Sequence, residues 1–309
     1  MPTTTARDRP RHLLDLAALP AARIDALLCR AQQFAEGAQA PAALAGVAVC
    51  TLFFEPSTRT RLSFQLAAQR LGAHVLNFDA STASTTKGET DLDTFRTLQA
   101  MGVRGFVVRH KADGAVAALA AAAQPGVAVL NAGDGRSHHP TQGLLDMLTL
   151  RQAKGEDFSR LKVVIVGDVK HSRVARSDLH ALRALGCGEI RVCGPAALLP
   201  DDDTLAGCAV SHDLDTALDG VDAVMMLRLQ RERMAEGLVA SLDDYHRAYG
   251  LTEARLRRAA PGAIVMHPGP MNRGVEITDA VADGPQSRVL VQVANGVAVR
   301  MAVLEALLG

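Results

Sequence analysis

The sequence predicts an α/β protein made of two doubly wound domains, each with a central parallel sheet flanked by helices. Short apolar runs alternate with amphipathic stretches of helical period along the chain. Strands that alternate with helices form parallel sheets with right-handed crossovers. At 309 residues the chain is long enough for two domains of roughly 150 residues each. The apolar pattern breaks at "AKGEDFSR" (153–160), so we place the junction near residues 140–160.

The first half of the chain shows the alternation in order. Apolar residues recur at helical spacing from Leu16 to Phe34 and predict a helix over 13–35. "VAVCTLFF" (47–54) is typical of a buried strand, and the helix that follows from Thr58 is predicted to stop at Gly72. Further strands are predicted at 74–78, 104–110 and 127–133, with helices at 115–123 and from Pro140 to about 153.

The second half repeats the pattern after the junction. "LKVVIVGD" (161–168) predicts a strand that is followed by a helix over 173–185. Three more apolar runs predict strands at 189–195, 222–228 and 263–270, and a final helix is predicted over 295–308.

Composition argues against several classes of function. Lys plus Arg and Asp plus Glu both number 33, so the chain lacks the excess of cations that a nucleic-acid surface needs. The N-terminal segment is polar, and no window approaches about 20 uninterrupted apolar residues. We therefore expect a soluble, cytoplasmic protein without a membrane span. Five cysteines without CxxC spacing predict buried, reduced thiols rather than a zinc site.

Polar clusters follow the predicted strands, where open parallel sheets bind their ligands. Six of them in one chain predict a shared site between the two domains. The clusters are Ser57–Arg61, Arg109, His139, Arg173, Arg228 with Gln230, and His267 with Pro268.

The stretch "FFEPSTRTRLSF" (53–64) carries the strongest of these signals. Ser57 is placed to cap a helix, a common structural role, and the amides after it are then free to hold an anion. Arg59 and Arg61 stand where the helix dipole disfavours cations, a conflict that a bound anion relieves. Phosphate accepts hydrogen bonds from amides, hydroxyls and a guanidinium together, so we predict a phosphate site.

Three other motifs are more ambiguous. "STASTTKGET" (81–90) is either a solvated linker or a mobile lid that carries Lys87, because its lysine precedes the glycine and does not fit a phosphate loop. His139 precedes Pro140 at a helix start, where we expect a neutral hydrogen-bond donor rather than a metal ligand. "VVIVGDVKHSRVARS" (163–177) has one glycine where a dinucleotide fingerprint needs three, so Lys170 and Arg173 suggest an anionic substrate instead.

Taken in order, the motifs resemble the aspartate transcarbamoylase family, from about Leu13 to the C-terminus. "STRTR" with "HPTQ" is typical of the transcarbamoylase superfamily, whereas "RLQRER" and "HPGPMNRG" point to aspartate rather than ornithine as the acceptor. The resemblance implies transfer of the carbamoyl group of carbamoyl phosphate to L-aspartate, giving N-carbamoyl-L-aspartate for pyrimidine synthesis. It also implies a carbamoyl phosphate-binding domain over 1–145, completed by a C-terminal helix at about 292–309. An aspartate-binding domain over 146–291 would then place the active site between the domains.

The same resemblance implies a role for each site residue. Arg59, Thr60, Arg109 and His139 would be catalytic. Carbamoyl phosphate would be bound by Ser57, Thr58, Arg59, Thr60, Arg109, His139, Gln142, Pro268 and Gly269. Aspartate would be bound by Lys87, Arg173, Arg228 and Gln230. Ser84 and Lys87 would enter from a neighbouring subunit, and Glu55 would pair with Arg173 and Arg233 on domain closure. Arg61 would have a structural partner instead of a substrate contact.

The family reaction needs neither a cofactor nor a metal, and the shared loop implies a homotrimer. A regulatory chain or a dihydroorotase-like partner is a further possibility that the resemblance raises. Three alternatives stay open: a transcarbamoylase for another acceptor such as ornithine, a non-catalytic binding subunit, and an oxidoreductase built around "VVIVGD".

Overall fold

The computed structural model describes residues 12–79, 88–229 and 241–309. The chain divides into two compact units, which we call unit 1 (Met1–Leu145 with Ala294–Gly309) and unit 2 (Asp146–Val293). Both points of division fall inside helices, so the chain passes from one unit to the other without a loop.

Unit 1 is built on a five-stranded parallel sheet with the strand order β1-β5-β4-β2-β3. Its inner strands are almost wholly buried, because helices cover both faces of a parallel sheet. The strands are β1 (His12–Leu13), β2 (Ala48–Phe53), β3 (His74–Asp79), β4 (Val103–His110) and β5 (Ala128–Asp134).

In the described part of the chain up to β5, four helices belong to unit 1, and the helix after β5 continues into unit 2. In the first helix, Ile24, Leu28, Ala31 and Phe34 are buried at the spacing of one helical face. The helices are α1 (Ala21–Ala35), α2 (Thr58–Arg70), α3 (Asp91–Ala100), α4 (Ala115–Ala121) and α5 (Pro140–Lys154).

The N-terminal part of the predicted helix over 13–35 is wrong. His12 and Leu13 pair with Val129 and Leu130 as a parallel strand. Helix α1 begins only after Pro20, a residue that favours a helix start but cannot lie inside one. Helix α3 was not predicted at all, although Thr90 caps it by accepting a hydrogen bond from the Asp93 amide.

Unit 2 repeats the architecture, with a parallel sheet of order β10-β9-β6-β7-β8. The strands are β6 (Lys162–Val166), β7 (Glu189–Cys193), β8 (Ala209–Ser211), β9 (Ala223–Met226) and β10 (Ile264–Met266). The helices after α5 are α6 (Arg173–Ala184), α7 (Leu214–Leu218), α8 (Leu242–Tyr249), α9 (Glu253–Leu256), α10 (Asp279–Ala282) and α11 (Val289–Leu308). The predicted fold class of two parallel, doubly wound sheets is confirmed.

Each sheet has one point where the direction of winding reverses. In unit 1 the chain crosses from β2 to β3 on one side and from β4 to β5 on the other, so the connections that leave the carboxyl ends of β2 and β4 diverge. In unit 2 the crossovers from β6 to β7 and from β9 to β10 diverge in the same way. Open α/β sheets bind ligands at such switch points, so each unit has one edge of its sheet where candidate site residues are expected.

Helix α11 is the one helix within the described ranges that has the length and mean hydropathy, 1.5, of a membrane span. Its apolar residues are largely part of the core: 56% of the apolar window is buried inside the protein. Gly105 of β4 lets this helix lie close to the sheet, because a Cβ atom there would be 2.7 Å from Leu308 Cδ1. Core helices commonly meet the same criteria of length and composition.

All five cysteines are free thiols, but they are not uniformly buried. Cys50 and Cys193 are buried in the two cores, and Cys187 and Cys208 are half-buried. Cys29 is exposed on α1, so the prediction of a buried thiol is wrong there. Burial raises the pKa of both the Cys50 and the Cys193 thiols to about 12, which keeps them protonated and unreactive at neutral pH.

Candidate active site

The predicted phosphate cradle lies at the switch point of unit 1, between β2 and α2. Ser57 stands at the N-cap with an extended backbone (φ −161°, ψ 107°), but its side chain makes no capping hydrogen bond. The first turn of α2 contains no acidic residue. The leading amides of a helix have no partner within the helix, so this turn offers donors to an anion.

The side chains of this turn differ in burial. Thr60 is 7% exposed and faces the protein, whereas Thr58, Arg59 and Arg61 are exposed. Arg61 forms no ion pair with any residue in the described ranges. The structural partner expected for Arg61 is therefore not found there.

Arg109 is fixed at the end of the neighbouring strand β4. Its Nη2 donates to Glu55 Oε1 at 2.7 Å, and its Nη1 donates to the Ala132 carbonyl at 3.2 Å. The Phe54 amide donates to the Arg109 carbonyl at 2.9 Å, which ties the end of β2 to the end of β4. The contact with Glu55 was not predicted. The expected pairing of Glu55 with Arg173 stays a prediction.

His139 and Gln142 lie at the start of α5, beyond the end of β5. His139 is 4% exposed and Gln142 is 8% exposed. The His139 carbonyl accepts from the Gln142 amide at 2.9 Å, so both residues belong to the first turn of the helix. Both residues are thus buried at the start of α5, next to the carboxyl end of β5.

The loop that leads to His139 is held by Asp113, a residue that the sequence did not single out. Asp113 Oδ1 accepts from the Arg136 amide at 2.6 Å and from Ser137 Oγ at 2.7 Å. Gly135 makes room for this carboxylate, because a Cβ atom there would lie 2.1 Å from Asp113 Oδ1. The carboxylate thereby sets the path of the chain into α5.

In unit 2 a buried carboxylate, that of Asp168, follows strand β6 at the switch point. Asp168 is 3% exposed and lies 2.8 Å from His171 Nδ1. Ser172 then caps α6 by accepting from the Ala175 amide at 3.1 Å, and Arg173 is the half-buried first residue of that helix. Lys170 is paired at 3.4 Å with Asp201, away from this helix start.

The single glycine of "VVIVGD" has a packing role. Gly167 has φ +125°, and a Cβ atom there would lie 3.1 Å from Tyr245 Oη and 3.2 Å from Leu227 Cβ. Burial raises the pKa of the Tyr245 phenol, and the carboxylates of Glu276 and Asp168 raise it further. The glycine therefore accommodates a buried, protonated tyrosine, which accounts for it without a dinucleotide.

The other predicted site residues of unit 2 follow β9 and β10. Arg228 is exposed between buried Leu227 and Leu229. Pro268 and Gly269 are half-buried after β10, and Gly269 has φ +62°, a conformation that favours glycine. Four predicted site residues lie outside the described residues: Ser84, Lys87, Gln230 and Arg233. In the part of the chain that the structure describes, no group of three or more metal-ligating side chains could hold a metal ion.

Comparison with known families gives a match over almost the entire chain. Residues 11–152 match the carbamoyl-P binding domain of aspartate/ornithine carbamoyltransferase, and residues 159–307 match the Asp/Orn binding domain of the same enzymes.

Relatives with high sequence identity include two aspartate carbamoyltransferase catalytic subunits. One is the aspartate carbamoyltransferase catalytic subunit of Stenotrophomonas maltophilia (strain K279a), 73% identical over 309 residues and 98% of each chain. The other is the protein of the same name from Xanthomonas campestris pv. campestris (strain B100), 73% identical over 305 residues and 97% of each chain.

Solved structures of both acceptor classes share the fold. Aspartate transcarbamoylase from Trypanosoma cruzi, in complex with carbamoyl phosphate and aspartate, has a TM-score of 0.86 at 31% identity, covering 98% of each chain. Ornithine carbamoyltransferase from Thermus thermophilus also has a TM-score of 0.86, at 29% identity, covering 97% of this chain and 99% of that one. The fold alone therefore does not distinguish the two acceptors.

Proposed function

We propose that this chain, which belongs to the aspartate/ornithine carbamoyltransferase family, transfers the carbamoyl group of carbamoyl phosphate to the amino group of L-aspartate. The products are N-carbamoyl-L-aspartate and phosphate. Support for aspartate as the acceptor is the 73% identity, over nearly full length, to relatives named aspartate carbamoyltransferase. Support for the transfer itself comes from the donors at the switch point of unit 1.

The first task of the site is to bind and neutralise the phosphate. The open first turn of α2 offers backbone amides, the hydroxyls of Ser57 and Thr58, and the guanidinium of Arg59. Hydrogen bonds from charged donors are roughly twice as strong as neutral ones, so Arg59 is the dominant contact. The same contacts stabilise the phosphate as a leaving group.

The second task is to stabilise the carbonyl oxygen during attack. The aspartate amine adds to the carbamoyl carbon, the bond from that carbon to the phosphate oxygen breaks, and the departing phosphate accepts the proton that the nitrogen releases. Negative charge develops on the carbonyl oxygen, and Thr60, Arg109 and His139 supply donors to it. Preorganised donors of this kind are worth about 3 kcal/mol each. Gln142 contacts the carbamoyl amino group, and Pro268 and Gly269 add main-chain contacts.

The third task is to hold the acceptor. We assign the two carboxylates of aspartate to Arg173 and Arg228, with Lys87 and Gln230 as further contacts. Holding both anions in one geometry converts a two-molecule reaction into an effectively intramolecular one.

A direct assay tests the acceptor. Purified protein with carbamoyl phosphate should form carbamoyl aspartate from L-aspartate and give at most a trace of product with L-ornithine. A preference for ornithine would overturn the assignment of Arg228. Turnover of neither amino acid, while carbamoyl phosphate still binds, would favour a non-catalytic binding subunit.

We also propose a homotrimer whose sites are shared. Exposed apolar side chains support a contact between subunits: Leu62 (53% exposed) and Leu66 (39%) on α2, and Leu76 (37%) on β3. A hydrogen bond between Gln65 and Asn77 ties this helix to this edge strand. The chain continues from β3 directly into the segment that contains Ser84 and Lys87.

Mixed subunits test this sharing. Lys87→Ala chains mixed with His139→Ala chains should recover part of the activity, because one site in a mixed trimer then has both residues intact. Mixed trimers that are verified by native mass measurement and stay inactive would contradict the shared site.

The remaining proposals concern cellular context. The relatives are named catalytic subunits, which supports a regulatory chain or a dihydroorotase-like protein as a partner of this one. We place the enzyme in the cytoplasm, at the step of pyrimidine synthesis that forms carbamoyl aspartate. Native mass measurement after gentle purification from the host, with fractionation of the cell, checks both the partner and the compartment.

A further inference from the structure

His267 and Glu276 form a buried pair in unit 2 that the proposed mechanism does not use. His267 Nε2 lies 3.2 Å from Glu276 Oε1, and both side chains are 0% exposed. Burying a carboxylate lowers the stability of the fold unless hydrogen-bond donors surround it. We therefore asked which groups this pair binds.

The hydrogen bonds of the imidazole define its proton. The Gly269 amide donates to His267 Nδ1 at 2.8 Å. A backbone N–H only donates, so Nδ1 is an acceptor and the ring proton is on Nε2, where it is donated to Glu276. The ring is therefore a neutral bridge from the Gly269 main chain to the carboxylate.

Glu276 extends this bridge in the other direction. The same oxygen, Oε1, accepts from the Asn272 amide at 2.5 Å, so the carboxylate holds the loop after β10 at two points, His267 and Asn272. Asn272 Nδ2 in turn donates to the Leu229 carbonyl at 2.8 Å. Leu229 directly follows Arg228 in the chain.

A second anchor holds the beginning of the loop. The His267 amide donates to Gln292 Oε1 of α11 at 2.9 Å, and Gln292 Nε2 donates to Asp146 Oδ1 at 2.7 Å. Gln292 is 3% exposed and Asp146 is fully buried. The imidazole is thus fixed at its backbone and at both ring nitrogens.

We propose that His267 and Glu276 are positioning residues for the transfer reaction. They fix the main chain at Pro268 and Gly269 and, through Asn272, the segment that carries Arg228. The inference rests on the proposed function, which assigns Pro268 and Gly269 to carbamoyl phosphate and Arg228 to the acceptor. Neither His267 nor Glu276 touches substrate; they act because a displacement of about 1 Å in a contact group lowers rates strongly.

Two substitutions at His267 separate the two bonds of the ring. His267→Gln places an amide nitrogen near the position of Nε2, which keeps the donor to Glu276 and removes the acceptor for Gly269. His267→Asn places an oxygen near the position of Nδ1, which keeps the acceptor for Gly269 and removes the donor to Glu276. The two variants therefore serve as matched controls for each other.

The variants should show opposite effects. His267→Gln should raise the KM for carbamoyl phosphate about three- to tenfold, the change expected for one hydrogen bond, with the melting temperature nearly unchanged. His267→Asn should keep that KM and lower the melting temperature, because buried Glu276 loses a donor. Glu276→Gln keeps an acceptor oxygen, so the KM for carbamoyl phosphate and the KM for aspartate should stay near their wild-type values. Glu276→Leu removes the acceptor and should raise both KM values.

Hydrogen exchange supplies a readout that does not depend on activity. Without substrate, the peptide that contains Gly269 should exchange faster in His267→Gln than in wild type or His267→Asn. If wild type turns over no acceptor, the proposed function fails while this exchange difference still tests the anchoring. If wild type is active but the two His267 variants share one KM and one exchange rate, the positioning role is wrong. Loss of the melting transition in His267→Gln would also contradict it.

Discussion

The two switch points differ in how firmly they hold their predicted site cations. In unit 1 the Arg109 side chain is 11% exposed and is hydrogen-bonded to Glu55 and to the Ala132 carbonyl. In unit 2 the predicted cations are less enclosed, with Arg173 half-buried and Arg228 exposed.

In unit 2 the hydrogen bonds of the loop after β10 hold backbone groups. The buried pair of His267 and Glu276 holds the Gly269 amide, and Asn272 holds the Leu229 carbonyl. Stabilising a transition state requires donors that are in place beforehand, whereas binding a small diacid tolerates side chains that become ordered on contact. Changes at the fixed donors of unit 1 should therefore reduce kcat, and changes at the exposed or half-buried cations of unit 2 should mainly raise the KM for the acceptor.

The largest effect is expected at the cradle of α2. Arg59→Ala should lower kcat/KM about 10²- to 10³-fold, because the leaving phosphate loses its main cation. Arg61→Ala is the matched control, an exposed arginine two residues further along the same helix, and should stay within about twofold of wild type. Steady-state kinetics with melting curves measure both. Equal losses in the two variants would show that general charge, and not the cradle, matters.

Arg228→Ala tests the acceptor side. Losing a charged hydrogen bond of about 1.5–3 kcal/mol should raise the KM for aspartate about 10- to 100-fold. Affinity for carbamoyl phosphate, measured by calorimetry, should not change. Arg257→Ala is the control, because Arg257 is an exposed arginine of the same unit far from the β9 loop in sequence. A fall in kcat with an unchanged KM would remove the contrast between the two units.

Glu55→Gln weakens the hold on Arg109 while keeping the shape of the side chain. We expect kcat to fall about three- to tenfold with little change in KM, since one charge-assisted bond becomes a neutral one. Glu305→Gln is the matched control: Glu305 pairs with Arg30 at 2.6 Å in the same unit, at similar exposure. Normal kcat in Glu55→Gln would mean that Arg109 is held sufficiently by the Ala132 carbonyl.

The smallest effect concerns stability and the buried carboxyls of α5 and α6. Burial raises the pKa of Asp178, and the neighbouring Asp146 carboxylate raises it further. The folded state then keeps a proton that the unfolded state releases near pH 4. The free energy of unfolding therefore falls as pH rises from about 4 to the raised pKa of Asp178, by up to about 1.4 kcal/mol per pH unit.

Asp178→Asn should remove this slope and gain stability relative to wild type as pH increases, because a neutral amide has no proton to exchange between the folded and unfolded states. Denaturant unfolding between pH 5 and 8 measures the difference. Asp213→Asn should instead lose stability by a constant amount over this range, since hydrogen bonds from Thr216 and Asp215 lower the pKa of Asp213 and its carboxylate stays ionised throughout. A difference between Asp178→Asn and wild type that does not vary with pH would contradict a protonated Asp178.

Sequence reasoning was strongest where burial was complete. Strands β2, β5, β6 and β9 were predicted from continuous apolar runs, which inner strands of a parallel sheet require. The edge strands β1 and β8 were missed, because a strand of two or three residues is too short to show an apolar period.

The candidate site residues also divide into those with a local sequence pattern and those without one. Arg59 and Arg109 could be singled out because each follows a strand and breaks an apolar or helix-end pattern. The bond between Arg109 and Glu55 spans 54 residues and depends on β2 and β4 being neighbours, which no local pattern specifies. The buried position of Glu276 was not predicted, because no residue near it in the sequence indicates that it packs against His267.

Helix α2 combines two surfaces on one rigid element. Its first turn is the proposed phosphate cradle, and Leu62 and Leu66 are exposed one and two turns further along. If the trimer forms through these leucines, phosphate binding and subunit association act on the same helix, and coupling between two binding events is reciprocal. Phosphate should then delay dissociation of the trimer on dilution, and activity should depend on protein concentration most steeply when substrate is scarce.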